Sequence, residues 1–457
     1  MKKISNRSVI TALLSVLIIV GLGLFVVQYF VSARTWATHQ GSPHVYSGGN
    51  ISTGTILDRE GVTLLSNGNS REYASDEMVR KATIHLLGDR YGNIAAPLIN
   101  TYGEYMVDYN PITGLYDSSG GNRLNLTLSS EACVTALEYL GQRKGTVGVY
   151  NYKTGEILCM VSSGTYDPYE QPSWDEIETM DYYEGVFVNR FTASTFVPGS
   201  IFKVITAAAA IDNISDVSTR TFRCEEREIV SGEYIICDDY HGDISFGNGL
   251  IKSCNIVFGE LAVELGAETL TKYVEAAGVT SSIAFDGSST QPGQFDLTGA
   301  NDASVAWAGI GQYTTLINPC QFMTFMGSIA NGGVAASPYV VSRVESSSGG
   351  SVYEAETTML ERTMKESTAN RVAEMMRDDV VYNYGTYNFP DVYVCAKSGT
   401  AEVEGQDPNA MFAGFVKDET YPLAFIVVVE DSGSGSQVCS SIAGAVLQAC
   451  MDSMDRD

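Results

Sequence analysis

The sequence predicts an α+β fold. One N-terminal transmembrane helix precedes a small module, and a larger domain follows with an antiparallel sheet flanked by helices plus a helical subdomain. Three observations predict it. The run "VITALLSVLIIVGLGLFVVQYFV", Val9 to Val31, carries no charge and is long enough to span a bilayer. Strand-type segments occur early in the larger domain, "GTVGVYNYKTGEILCMVSSG", and again near the end, "VYVCAKSGTAEV", "NAMFAGFVK" and "YPLAFIVVVE". Mainly helical patterning fills the interval from about Asn189 to Asn331. A sheet built from the two ends of one domain, with helices between them, follows from that order.

The elements justify themselves in turn. Lys2, Lys3 and Arg7 precede the apolar run and Arg34 follows it closely, so residues 1–8 form a cytoplasmic tail, 9–31 an anchor, and the remainder lies outside. A cleaved signal peptide is the alternative, with "VSA" at Val31 to Ala33 as a tolerable cleavage sequence, but the run exceeds the usual h-region length. Residues 32–51, with "HQGSPHVYSGGN", form a polar linker. The small module covers 52–123. It opens with "TGTILDREGVTLL", two apolar runs around an Asp58-Arg59-Glu60-Gly61 turn, with Asp58 and Arg59 expected as a turn and a surface pair. "SDEMVRKATIHLLGD" has helical spacing with an N-cap expected at Ser75. The larger domain covers 124–457. "LNLTLSSEACVTALEYLGQR" reads as strand, Ser-Ser cap and amphipathic helix, and Lys153-Thr154-Gly155 joins two strands as a hairpin. Tyr182, Tyr183 and Phe187 are expected to fill a core, and "DSGSGS" to be a loop before a last helix, "SSIAGAVLQACMDSM".

Composition bounds the function. Of 457 residues 44% are apolar, which is globular, and the net charge of -26 argues against a nucleic-acid partner. The nine cysteines include no CxxC pair and the four histidines are scattered, which argues against a zinc site; no metal or other cofactor is expected. Cys224 and Cys237 flank the hairpin "CEEREIVSGEYIIC", where a disulfide and two buried thiols both remain open.

Three polar motifs interrupt apolar surroundings. In "FVPGSIFKVITAAAAI" a helix that is apolar nearly all round opens with Ser200 and carries Lys203 three residues on, on the same face. A lysine so placed should lose its charge readily, and a neutral amine beside a hydroxyl is a base beside a nucleophile. Ser253-Cys254-Asn255 stands before a second helix, and Lys397-Ser398-Gly399-Thr400 at the end of a strand. Ser253 and Asn255 can relay a proton and hold a substrate amide. Lys397 suits a carboxylate, and Gly399 lets a ligand approach the strand edge. Singly each motif is weak: a cap, a helix start and a strand end explain them. Together, in this order, they describe acyl transfer to a serine.

With these residues the chain resembles the penicillin-recognising serine transferases, whose signature is S-x-x-K, S-x-N, K-[ST]-G. Within them it is similar to the class B penicillin-binding proteins, membrane-anchored peptidoglycan D,D-transpeptidases, of the small A-type. "FVPGSIFK", "CDDYHGDISFGNGLIKSCN", "GIGQYTTLINPCQFMTFMGSIANGG", "TGEILCMVSSGTYDP" and "TGTILDREGVTLL" carry the resemblance, which covers most of the chain. It implies a pedestal module over 52–123 and a transpeptidase domain over 124–457. It further implies Ser200 as nucleophile, Lys203 as base, and Ser253 and Asn255 as relay and amide contact. Lys397, Ser398, Gly399 and Thr400 become the substrate-binding strand, with the Ser200 and Thr400 N–H groups as oxyanion hole. The implied partners are stem peptides ending in D-Ala-D-Ala, β-lactams, the cytoplasmic membrane and a SEDS-type glycan polymerase. Thr53, Tyr313 and Met411 depart from the family's usual residues without removing a catalytic group. His241 is expected to be a loop residue near the cleft. The competing functions are a D,D-carboxypeptidase or β-lactamase of the same fold and a non-catalytic scaffold or sensor. No "ExxLN"-type acidic loop lies between the second and third motifs, and the single span lacks a sensor's output module.

Overall fold

The computed structural model describes residues 2–456 apart from 40, 41, 43, 44, 48, 49, 69, 96, 117–119, 403, 404 and 406. Met1, Asp457 and six of the twenty residues of the expected linker therefore lie outside the described residues. Helix α1 (Lys2–Ala37) contains the apolar run; over its most apolar stretch the mean hydropathy is 2.9 and no residue is buried.

The small module begins with a meander of β1 (Thr55–Leu57), β2 (Thr63–Asn67) and β3 (Arg71–Tyr73). The turn between β1 and β2 is not the expected surface pair. Asp58 is buried, accepting from the Val62 N–H at 2.7 Å and the Ser130 hydroxyl at 2.6 Å. Helix α2 (Glu77–Leu87) is capped by Asp76, one residue after the expected Ser75, because the Asp76 carboxylate accepts from the Met78 and Val79 N–H groups. Strand β4 (Arg123–Leu126) leads through the Ser129 cap into α3 (Ser130–Leu140).

The hairpin of β5 (Gly145–Asn151) and β6 (Ile157–Ser162) follows. Next come α4 (Lys203–Asn213), β7 (Thr221–Cys224), the hairpin β8 (Arg227–Val230) and β9 (Glu233–Ile236), β10 (Gly242–Ser245) and α5 (Asn255–Ala276). Helix α6 (Pro319–Ala330) is capped by Asn318, whose amide also donates to Thr192 O and Ser194 O, both at 2.9 Å. Strands β11 (Val341–Glu345) and β12 (Ser351–Glu354), helix α7 (Glu366–Asp379), strands β13 (Val394–Ala401), β14 (Asn409–Val416) and β15 (Leu423–Val429), and helix α8 (Gly435–Met454) complete the chain. Helix α8 starts inside "DSGSGS", earlier than that loop reading implied.

Two sheets organise the molecule. The five-stranded sheet runs β6-β5-β15-β14-β13, all antiparallel, and so joins the early hairpin to the late strands as expected. Every residue of β5, β14 and β15 is buried, so both faces are covered. Helices α3 and α8 pack together against this sheet, as do α6 and α7. The six-stranded sheet runs β12-β11-β4-β1-β2-β3, with β1 and β4 parallel. It takes strands from both sides of residue 124. Tyr183 and Phe187 pack on a small separate core of Ile84, Ile94, Tyr166 and Val186. Strand β13 is an edge of the five-stranded sheet, and the candidate site is built along it.

Candidate active site

Ser200 sits in a 3-10 turn, Gly199–Phe202, that runs into α4. The turn is pinned from two sides. Gly199 N–H donates to Gly311 O at 3.0 Å, and Phe196 exchanges hydrogen bonds with Ile317 at 2.8 and 2.9 Å. Glycine is required at both ends of the first contact. Gly199 has φ +54° and a Cβ there would lie 2.6 Å from Thr400 O; Gly311 has φ +85° and a Cβ there would lie 2.1 Å from Gly199 O. The nucleophile turn is thus pressed against β13.

Lys203 begins α4 and is fully buried. Its Nζ lies 2.9 Å from Ser200 Oγ, 2.6 Å from Ser253 O, 2.6 Å from Asn255 Oδ1 and 3.2 Å from Ser253 Oγ. Burial first, and then the Lys397 charge, bring this ammonium down to about 7. A neutral amine has two hydrogens and one lone pair. The two carbonyl oxygens at 2.6 Å can take both hydrogens, which aims the lone pair at the Ser200 hydroxyl. Ser253 has φ +53°, a left-handed conformation costly for a residue with a Cβ, and this turn is what directs both its carbonyl and its hydroxyl at Lys203. Asn255 is held by its amide donating to Ile236 O at 2.8 Å. Phe202 stacks on Phe295 at 5.6 Å beneath the turn.

Lys397 lies in the middle of β13, opposite Ala413, and not at a strand end; Ser398, Gly399, Thr400 and Ala401 continue the ladder. A Cβ on Gly399 would lie 2.7 Å from Pro198 O, so this glycine lets strand and nucleophile turn touch. Ser398 is half-buried and Thr400 exposed along the edge. Lys397 is 1% exposed, and burial pushes its ammonium down. Its partners were not foreseen from sequence. The buried Asp379 carboxylate is 3.5 Å away, and the Tyr384 hydroxyl 3.4 Å. That hydroxyl accepts from Ser398 N–H at 2.9 Å and lies 2.8 Å from Asp379 Oδ2 and 2.9 Å from Ser398 Oγ. Burial raises the Asp379 carboxyl, against the lowering effect of Lys397.

All nine cysteines are free and buried, so Cys224 and Cys237 are two thiols. The sequence treats these cysteines and His241 as scattered, but the fold brings four of them together. Cys224, Cys237, His241 and Cys254 bring their ligand atoms within 4.8 Å of one another. The spacing hid this, because the four come from the ends of three separate elements and the loop before β10.

The chain matches the "Penicillin binding protein transpeptidase domain" model over residues 145–452. The peptidoglycan D,D-transpeptidase PbpA of Mycobacterium tuberculosis is 26% identical over 345 residues, 68% of each chain. The PbpA of Mycolicibacterium smegmatis is 26% identical over 392 residues, 77% of this chain and 76% of that one. Among solved structures, the D,D-transpeptidase domain of a peptidoglycan glycosyltransferase from Eggerthella lenta has a TM-score of 0.75 at 26% identity, covering 88% of this chain and 98% of its own. Penicillin-binding protein A of M. tuberculosis as a ceftriaxone acyl-enzyme shares the fold with a TM-score of 0.75 at 22% identity, covering 87% and 98%. The chain belongs to the penicillin-binding protein transpeptidases, of the class B kind.

Proposed function

We propose that this chain is a peptidoglycan D,D-transpeptidase that acylates itself on Ser200 and passes the acyl group to an amine of a neighbouring stem peptide. The observation that carries the reading is the position of Lys203 Nζ, shared between Ser200 Oγ, Ser253 and Asn255. Lys203 takes the Ser200 proton as Oγ attacks the penultimate D-alanine carbonyl. The Ser200 and Thr400 N–H groups receive the developing oxyanion. The proton returns to the departing D-alanine amine along Lys203 and Ser253, and the bond to that amine breaks. The incoming amine then attacks the Ser200 ester carbonyl; the ester bond breaks, the amine's proton passes by the same route to Ser200 Oγ, and the cross-link forms. Asn255 orients the substrate amide, and Lys397, Ser398 and Thr400 hold the terminal carboxylate while the peptide lies along the β13 edge.

Residues 52–123 act as a pedestal and 124–457 as the transpeptidase unit. Helix α1 anchors the chain in one pass, with Lys2, Lys3 and Arg7 on the cytoplasmic side and the catalytic domain on the outer face. A multi-span SEDS-type glycan polymerase beside α1 is the expected membrane partner. A fluorescent penicillin should label the full chain covalently, with the added mass on the peptide containing Ser200, and Ser200→Ala should abolish labelling. Persistent labelling of that variant overturns the assignment, and release of the label by water within seconds favours a β-lactamase.

A further inference from the structure

We propose that Cys224, Cys237, His241 and Cys254 form a zinc site that fixes the Ser253-Cys254-Asn255 segment beneath Lys203. Cys224 ends β7, Cys237 follows β9, His241 precedes β10, and Cys254 is the N-cap residue of α5. The pairing of Cys224 with Gly242 in the β7–β10 ladder sets the first thiol beside the His241 loop. Four ligands of Cys3His type are a tetrahedral set that zinc prefers, and four protein ligands leave no open position, so the ion is structural. Zinc bonds of about 2.3 Å to sulfur and about 2.0 Å to nitrogen require S···S and S···N edges of about 3.8 and 3.5 Å in a tetrahedron. Cys237 Sγ is 3.9 Å from Cys254 Sγ and 3.6 Å from His241 Nδ1.

The placement has a consequence for the reaction. Cys254 is the middle residue of the segment whose two flanking residues bond Lys203. Asn255 donates to Ile236 O, next to Cys237. An ion shared by Cys237 and Cys254 therefore ties the β8–β9 hairpin to the start of α5 and resists relaxation of the left-handed Ser253. The thiols bind as thiolates, so loading displaces their protons to solvent.

The metal content itself does not depend on the transpeptidase reading; its effect on acylation does. Full chain in detergent, purified under reducing conditions without chelator, is assayed by mass spectrometry for metals. One zinc per chain is expected, retained in Cys320→Ser and lost in Cys237→Ser. Less than about a tenth of an equivalent after incubation with zinc sulfate, or equal zinc in Cys237→Ser, overturns the site. Cobalt loading of the native chain avoids the question of whether the variant folds. Thiolate charge-transfer and tetrahedral d–d bands support the site, and a six-coordinate spectrum overturns it. A chain that is two hydrogens lighter, and takes up no zinc after reduction, is a disulfide and overturns it too. Chelation should slow penicillin labelling by about tenfold, reversed by zinc. Unchanged labelling of a metal-free chain refutes the coupling alone, and failure of the native chain to label refutes the transpeptidase reading instead.

A separate observation, the buried contacts of Lys397, carries a second inference. The geometry assigns Asp379 and Tyr384 as positioning residues for substrate carboxylate recognition, an inference that rests on the penicillin-binding reading. Tyr384 spans Asp379, Lys397 and both the N–H and the hydroxyl of Ser398, so it fixes the cation and the hydroxyl to one another. The test compares benzylpenicillin with its methyl ester. Asp379→Asn should lose about tenfold of the native preference for the acid, and Asp379→Glu should restore part of it. A structural role alone lowers both rates together, and an unchanged preference in a variant that still labels overturns the inference. A native chain that labels with neither compound refutes the underlying reading.

Discussion

Acylation of Ser200 by a penicillin should accelerate about tenfold per pH unit below pH 7 and level off above about pH 8. The perturbation is protonation of Lys203. With the ammonium brought down to about 7, half of the chains carry the free amine at neutral pH. At the ordinary value of 10.5 only about one in 3,000 would do so, a difference of roughly three orders of magnitude in available base. Burial is the larger cause and the Lys397 charge the next; the thiols of Cys237 and Cys254 and the Asp238 carboxylate oppose them. Lys397→Met should therefore move the midpoint upward, whatever it does to the plateau. The assay is stopped-flow labelling with a fluorescent penicillin from pH 5 to 9.5. A rate that is flat across this range, or a midpoint near 10, would refute the role given to Lys203. The same burial has a stability signature. A lysine with a lowered folded-state value carries a charging penalty that is fully present below pH 7 and recovered as pH rises toward 10.5, about 5 kcal/mol in all.

Gly399→Ala should slow acylation by about 10- to 100-fold while the chain still folds, because the new Cβ pushes Pro198 and the Ser200 turn off β13; an unchanged rate removes the close contact from the mechanism. His85 is buried against Val186 O at 2.8 Å, and burial brings it down to about 4. Stability should thus fall by about 3 kcal/mol as pH drops from 6.5 to 4, and His85→Gln should flatten that slope in urea titrations at stepped pH. Deleting residues 2–37 should move the chain from the carbonate-washed membrane pellet to the soluble fraction, and a truncated chain that stays in the pellet contradicts the anchor.

The motifs were legible because polar groups stood where apolar spacing predicted none: Lys203 among the alanines of α4, and Lys397 in a strand of buried residues. Their order in the chain then supplied the acyl-transfer chemistry. Local signals also gave the two hairpins, the Ser129 cap and the late strands. What escaped depends on tertiary context. Lys397 read as a strand end because Ser-Gly-Thr resembles a turn, yet β14 continues the ladder past it. Ser75 and Asp76 are both good caps, and the backbone chose the second. Asp58 read as exposed because nothing local announces that Ser130 closes over it. Asp379 and Tyr384 sit in "RDDVVYNYG", an unremarkable polar helix end. Cys224 and Cys237 read as a disulfide or two buried thiols and Cys254 as the middle of a polar motif, and only the folded hairpin collects them with His241.

The order of strands in the five-stranded sheet bears on how the protein is made. The β5–β6 hairpin emerges early, but the neighbour of β5 is β15, Leu423–Val429. Until nearly the whole chain has been synthesised, this apolar two-stranded ribbon has α2 and α3 to pack against β6 but leaves the β5 edge unpaired, a species marginal alone and prone to aggregate. Because Ser200 is pressed against β13, which itself needs β14 and β15, no shorter nascent chain can present the assembled cleft. The acylating centre is thus the last part of the molecule to form, and a chain released before β15 is complete is inert.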